Sequence, residues 1–272
     1  MLPQSYILLL GLLYLGSLGT CGYLGWRAVK RDPWPRPHGR TLIAWPDWLM
    51  PIAFVSWIGL AMIAKRLVPK SAVDPDVVNG ILIHNALMDL ALFIFLIFLL
   101  GLIEWAHHRV QPPGEKAPRG EPIFRQLLYG AVGFLACLAP TLIVFQLTLP
   151  FRNDDMLHSS LKLISEDETH LVLISVTFSA VVVAPWIEEL IFRVILQRTF
   201  MQRFSPSVSI LLTAVAFCAM HPPWQNSVGL APLALVLGVT YHRTGSYLAV
   251  VLIHMLFNAF NILSMLMEST PG

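Results

Sequence analysis

The chain has 272 residues, 56% of them hydrophobic and 12% charged, with a mean hydropathy of +0.67. Soluble domains carry about 25% charged residues, so this composition excludes an ordinary soluble globule and a disordered chain alike. A formal net charge of +2 is too small to point to nucleic acid as a partner.

Apolar segments follow one another at roughly 7–26, 48–64, 81–103, 127–149, 171–187, 207–221, 227–242 and 247–267. In lipid, backbone N–H and C=O groups must bond within their own segment. The segments therefore predict helices, and the chain reads as an all-α polytopic membrane protein with about eight transmembrane helices. The second, sixth and seventh are short for a span of ~20 residues.

In the first span Gly16, Gly19, Gly22 and Gly25 recur every third residue, the pattern of a small-residue face for close helix packing. The opening MLPQSY has no Lys or Arg, and no A-x-A-like site ends the first run, so a cleavable signal peptide is not expected. Arg27, Lys30, Arg31, Arg36 and Arg40 follow that run, which puts the N-terminus outside and this loop in the cytoplasm. On that assumption Arg109, Lys116, Arg119, Arg125, Arg193, Arg198, Arg203 and Arg243 also fall inside, thirteen basic residues against the outer Lys65, Arg66, Lys70, Arg152 and Lys162. Both termini then lie outside, and 152–168 becomes an acidic outer loop carrying Asp154, Asp155, Glu166, Asp167 and Glu168. Trp26, Trp48, Trp105 and Trp224 fall near span ends, where interfacial aromatic belts lie. The Pro- and charge-rich stretches 27–47 and 104–126 are too short to fold alone. Cys21, Cys137 and Cys218 sit apart inside apolar runs, with neither a disulfide framework nor a zinc-knuckle spacing.

Ionisable groups at membrane depth cost a few kcal/mol each, about 2.5–3.5 on insertion scales, and mark function by default. His84, Asn85 and Asp89 in the third span lack a nucleophile or basic partner nearby in sequence. They read as interhelical hydrogen-bonding groups, with a proton or ion path as the other reading. The larger cluster is Glu188, Glu189 and Arg193 after the fifth span, His221 at the end of the sixth, and His254 with Asn258 in the eighth. Glu189 and Arg193 are spaced i,i+4 and pair on one helix face, leaving Glu188 about 100° around the helix. His254 and Asn258 are also i,i+4. The turn signal Arg203-Phe204-Ser205-Pro206 lies midway between Glu188 and His221. A reversal there puts both at nearly the same depth on adjacent antiparallel helices. His254 lies about ten residues past the next turn, Arg243-Thr244-Gly245, at ~1.5 Å per residue. Three helices can thus aim an acid, two imidazoles and a carboxamide at one buried point.

These residues resemble the CAAX prenyl protease and bacteriocin-processing (CPBP, Abi) family of intramembrane proteases. The E-E-x-x-x-R motif reads Glu188-Glu189-Leu190-Ile191-Phe192-Arg193, F-x-x-x-H reads Phe217-Cys218-Ala219-Met220-His221, and H-x-x-x-N reads His254-Met255-Leu256-Phe257-Asn258. Arg243-Thr244-Gly245-Ser246 also looks like the family, while Val194 departs from the Gly that often follows the Arg. The likeness covers about 170–262, so the chain is divided into an N-terminal region of four spans with cytoplasmic loops (1–165) and a catalytic core of four spans (166–268).

The resemblance implies a CAAX-protease-like helical bundle that hydrolyses a peptide bond in a membrane-associated protein or peptide. It implies Glu188 as the base that activates a water, His221 as the group holding that water, and His254 with Asn258 as oxyanion stabilisers. Glu189 and Arg193 support the site. HExxH is absent, and a metal-free glutamate mechanism is favoured with no cofactor, although Glu188, His221 and His254 make a His₂Glu set of the kind that holds Zn²⁺. The expected setting is the cell inner (plasma) membrane, with the lipid bilayer and the substrate as partners. The alternatives are a non-catalytic immunity factor or scaffold, and a transporter, which the lack of a recognisable inverted repeat weakens.

Overall fold

Wherever the apolar runs predict a span, a helix forms. The computed structural model describes residues 3–32, 34–35, 45–67, 75–110, 121–151, 170–223 and 227–269. The acidic loop 152–168, Arg36, Arg40, Lys70, Lys116, Arg119, Arg152, Lys162, Trp224, and the side chains of Lys65, Arg66, His84, Asn85 and Arg109 lie outside the described residues. The helices are α1 (Gln4–Val29), α2 (Leu49–Leu67), α3 (Pro75–Val110) and α4 (Ile123–Thr148), then α5 (170–201), α6 (Pro206–Ala219), α7 (Ala231–Thr244) and α8 (Tyr247–Ser269), and no strand occurs among the described residues. Gln4–Val29, Ile123–Phe151 and Tyr247–Met267 are each long and apolar enough to cross a bilayer, and Leu49–Leu60, Leu87–Ile103 and Pro206–Ala219 are shorter apolar helices. The result is an all-α, membrane-type bundle.

Local chemistry sets the helix ends. Ser205 caps α6, its Oγ accepting from the Val208 N–H, and Pro206 follows at the first turn, where a missing N–H costs nothing. Gly245 ends α7 with φ 61°, a left-handed conformation that glycine adopts without a Cβ penalty. Ser246 Oγ then accepts from the Ala249 N–H at 3.1 Å and opens α8.

α5 is the central rod, and it is not a uniform α-helix. Ser179–Val183 and Leu190–Gln197 are π-helical. Pro185 cannot donate to the carbonyl four residues back and its ring crowds it, which accounts for the widened turn just upstream. The wide turn and Pro185 leave Ala180 O without a backbone donor, and side chains from other elements bond carbonyls along α5. Asn258 Nδ2 donates to Ala180 O at 2.8 Å, the Tyr247 hydroxyl donates to Trp186 O, and Trp45 Nε1 donates to Val194 O at 2.6 Å. π-turns of this kind recur at functional sites.

The apolar faces of α5 anchor three packed clusters. Ile187, Leu190, Ile191 and Ile195 pack with Leu49 and Ala53 of α2 and with Leu92, Leu96 and Leu100 of α3. Phe192 and Leu196 pack with Ala214 and Phe217 of α6 and Ala234 of α7. Phe192 sits edge-on to Phe54, Trp57 and Phe217 at 5.8, 5.7 and 5.1 Å, contacts worth about 0.5–1.5 kcal/mol each beyond area burial. Val194 packs against the cluster joining α4, α7 and α8, which contains Cys137, Leu237, Ile253 and Phe257. The outward residues of α1, such as Leu8, Leu12 and Leu15, remain exposed, as expected of a lipid-facing surface.

The glycine stripe of α1 does not make the close approach its spacing predicts. A Cβ on Gly19, Gly22 or Gly25 would meet nothing within 4 Å, and one on Gly16 only Leu135 at 3.8 Å. α1 instead docks on α4 through Ser17, whose Oγ accepts from the Ala139 N–H at 2.8 Å, and through Cys21, whose thiol reaches Ala136 O. Pro140 within α4 leaves that carbonyl without its usual donor, so the partner comes from α1. The tight glycine seam joins α4 to α8: a Cβ on Gly133 would fall 2.3 Å from Ile253 Cδ1, and one on Gly130 would fall 2.6 Å from Leu252 Cδ2. Gly133→Ala is expected to destabilise by about 1–3 kcal/mol through overpacking against buried Ile253, while Gly22→Ala is expected to be neutral or slightly stabilising. Thermal unfolding of both variants in the same detergent checks the contrast.

Candidate active site

The chain reverses at Arg203 and Phe204, whose N–H groups both bond to Phe200 O at 2.9 and 2.8 Å, and α6 runs back beside α5. His221 lies just past the end of α6, in the turn rather than in the helix. Its backbone N–H bonds to Cys218 O at 3.0 Å, and its carbonyl accepts from Ser227 Oγ at 2.5 Å. Its ring lies against Phe217 with centroids 4.5 Å apart. Its Nδ1 is 2.7 Å from Phe217 O. A carbonyl only accepts, so Nδ1 carries the proton and Nε2 points a lone pair outward when the ring is neutral. That Nε2 stands 3.4 Å from Glu188 Oε2.

His254 arrives from α8 by the same logic. Its Nδ1 is 2.8 Å from Glu189 Oε1, and its Nε2 is 3.9 Å from Glu188 Oε2. The other Glu189 oxygen accepts from Arg193 Nε at 2.9 Å, and both Glu189 and Arg193 are fully buried, 0% exposed. The Arg193 guanidinium lies 5.4 Å from the Phe217 ring centroid. Glu189 therefore bridges a cation and an imidazole and fixes the tautomer of His254. The exposures separate two groups of side chains: Glu188 and His221 retain 15% and 19% of their surface, while the Glu189–Arg193 pair is sealed.

Asn258 follows His254 on α8 and is anchored to α5. Its amide donates to Ala180 O, the carbonyl freed by the π-turn, so one of its two N–H groups ties α8 to α5. Asp89 is the residue that sequence spacing did not connect to this cluster. On α3, Leu92 and Leu96 pack with Ile187, Leu190 and Ile191, and Phe93 sits edge-on to Trp186 at 6.1 Å. Asp89, one turn before Phe93, is half-buried near that same face. The signal in the sequence is the period: 89, 92, 93 and 96 share one helix face.

The arrangement offers an acceptor-rich point, one carboxylate oxygen facing two imidazole nitrogens. A tetrahedral zinc with bonds of about 2.0–2.1 Å needs ligand separations near ~3.4 Å. The Glu188–His221 edge meets this, but the 3.9 Å edge to His254 is too long, and no group of three His, Cys, Asp or Glu side chains among the described residues stands close enough to hold a metal ion.

Residues 170–260 match the family model described as Rce1-like, type II CAAX prenyl endopeptidase. The match covers α5 through most of α8, the stretch that contains Glu188, His221 and His254. No curated protein and no solved structure matches the chain.

Proposed function

We propose, from the similarity of residues 170–260 to the Rce1-like family model, that this chain is an intramembrane endopeptidase in which Glu188 activates a water to cleave a membrane-associated peptide or protein. The observation that carries the reading is the Glu188 carboxylate of α5 faced by His221 Nε2 at 3.4 Å, from the turn after α6, and by His254 Nε2 of α8 at 3.9 Å.

Each group has a chemical task. Peptide hydrolysis needs a base for water, donors for the developing oxyanion and a proton for the leaving amine. Glu188 takes a proton from water while His221 Nε2 accepts the second water hydrogen. Hydroxide adds to the carbonyl carbon, and the proton held by Glu188 then passes to the departing nitrogen as the C–N bond breaks. His254 Nδ1–H is committed to Glu189, so His254 donates to the oxyanion from Nε2 only as the imidazolium. The Glu189 carboxylate stabilises that cation, as the buried Asp of a hydrolase triad does. Asn258 contributes its second amide N–H. The carboxylate–imidazole–carbonyl supports fix both rings before substrate arrives, which is where preorganisation gains most.

The topology proposed with this chemistry puts both termini outside the inner (plasma) membrane and opens the site toward the cytoplasm. Donors of the His₂Glu type suit zinc chemically, but their spacing does not, and no step above depends on a metal. The test is incubation of the purified protein in nanodiscs with peptide libraries, including C-terminally prenylated peptides, with and without a metal chelator. Cleavage that persists in chelator is expected. Cleavage abolished by chelator and restored by zinc would replace the glutamate mechanism with a metal-dependent one.

A further inference from the structure

Three polar atoms next to the sealed ion pair have no hydrogen-bond partner among the described residues: Arg193 Nη1, Arg193 Nη2 and Gln197 Oε1. Both side chains are fully buried, where polar atoms left without partners are costly. Their surroundings say what is missing. Gln197 Nε2 donates to Gly238 O at 2.9 Å. Flipping the amide would set Oε1 against a carbonyl, so the orientation is fixed and Oε1 needs a donor. Arg193 Nε is taken by Glu189, and Nη1 needs an acceptor. Both atoms approach Gly238 of α7: a Cβ there would lie 3.2 Å from Gln197 Oε1 and 3.6 Å from Arg193 Nη1, with Ile210 Cγ2 at 2.9 Å on the same point.

The occupant must therefore accept from a guanidinium and donate to an amide oxygen. An anion cannot donate to Oε1, and a cation is repelled by Arg193. A small neutral molecule that does both is water, and buried waters satisfy such groups routinely. We infer that one water molecule is built into the interior between Arg193 and Gln197, and that Gln197 is a positioning residue acting through it. Residues 189, 193 and 197 follow one another at i, i+4 and i+8 along α5. The chain runs from Gln197 through the water to Arg193, and on to Glu189 and His254. Arg193 also lies over Phe217, whose ring contacts His221 and His254 at 4.5 and 5.7 Å. The orientation of one guanidinium thus bears on both imidazoles. The effect on turnover rests on the proposed role of Glu188, but the water does not.

A high-resolution crystal structure of the full chain in a lipidic mesophase tests the water directly. A density peak within hydrogen-bond distance of Arg193 Nη1 and Gln197 Oε1 is expected. A peak-free interior with Oε1 bonded directly to Arg193 would overturn the inference. In parallel, Gln197→Met removes both bonds at similar volume and is expected to lower kcat by about tenfold, in the range seen for outer supporting partners, with KM unchanged. Equal kcat in the wild type and Gln197→Met would overturn the positioning role. If Glu188 variants also turned over normally, the proposed chemistry would fail while the density peak still decided the water.

Discussion

Glu188→Gln is expected to lower kcat for peptide cleavage on the order of 10²–10⁴-fold, the usual contribution of a general base, without loss of folded protein. The amide has the same shape as the carboxylate and fits the same partly open position beside His221 and His254. It cannot take a proton from water. The substitution leaves the size of the side chain unchanged, so the melting temperature should hold. Cleavage of a fluorogenic peptide and thermal unfolding, measured on one preparation, separate the two effects. Full turnover in this variant would take Glu188 out of the chemistry, while equal losses of folding and activity would make it a structural group.

The second large effect falls on the neighbouring carboxylate and has the opposite character. Glu189→Ala leaves Arg193 fully buried with its charge uncompensated, and breaking a buried pair from one side costs about 3–5 kcal/mol. Against a total stability of about 5–15 kcal/mol, that is enough to empty much of the folded population. Replacing both members, Glu189→Leu with Arg193→Met, removes the stranded charge along with the pair, and buried pairs replaced by apolar residues of similar size are often stability-neutral. The double variant is expected to recover most of the lost stability but not the turnover, because His254 Nδ1 has lost its acceptor. A double-mutant cycle on melting temperature, with kcat measured on the double variant, checks both halves. A Glu189→Ala protein as stable as the wild type would refute the account of the pair, and a fully active double variant would remove Glu189 from the positioning of His254.

The membrane-bundle class, the approximate spans, the reversal near residue 204 and the pairing of Glu189 with Arg193 were legible in the sequence. Each depends on local quantities: hydropathy over a window, turn chemistry at Ser205-Pro206, and i,i+4 spacing on one helix. The approach of Glu188 to His221 followed as well, because two antiparallel rods joined by a short turn keep equal distances from it at equal depth.

What only the tertiary structure decided concerns phase and partner choice. Pro185 and the π-turns change the rotation of α5, which sequence periodicity treats as constant; they free the Ala180 carbonyl that Asn258 occupies, while Tyr247 and Trp45 bond two further carbonyls of α5. Which glycines sit in a tight seam was likewise not local: the regular stripe of α1 faces open space, while Gly130 and Gly133 meet Leu252 and Ile253 more than a hundred residues away. Asp89 lies on the face of α3 that packs its Leu92 and Leu96 on α5, a placement set by packing between the two helices. Hydropathy determines that a helix enters the bilayer. The face it turns to its neighbour depends on packing and on backbone groups that must find partners somewhere in the bundle.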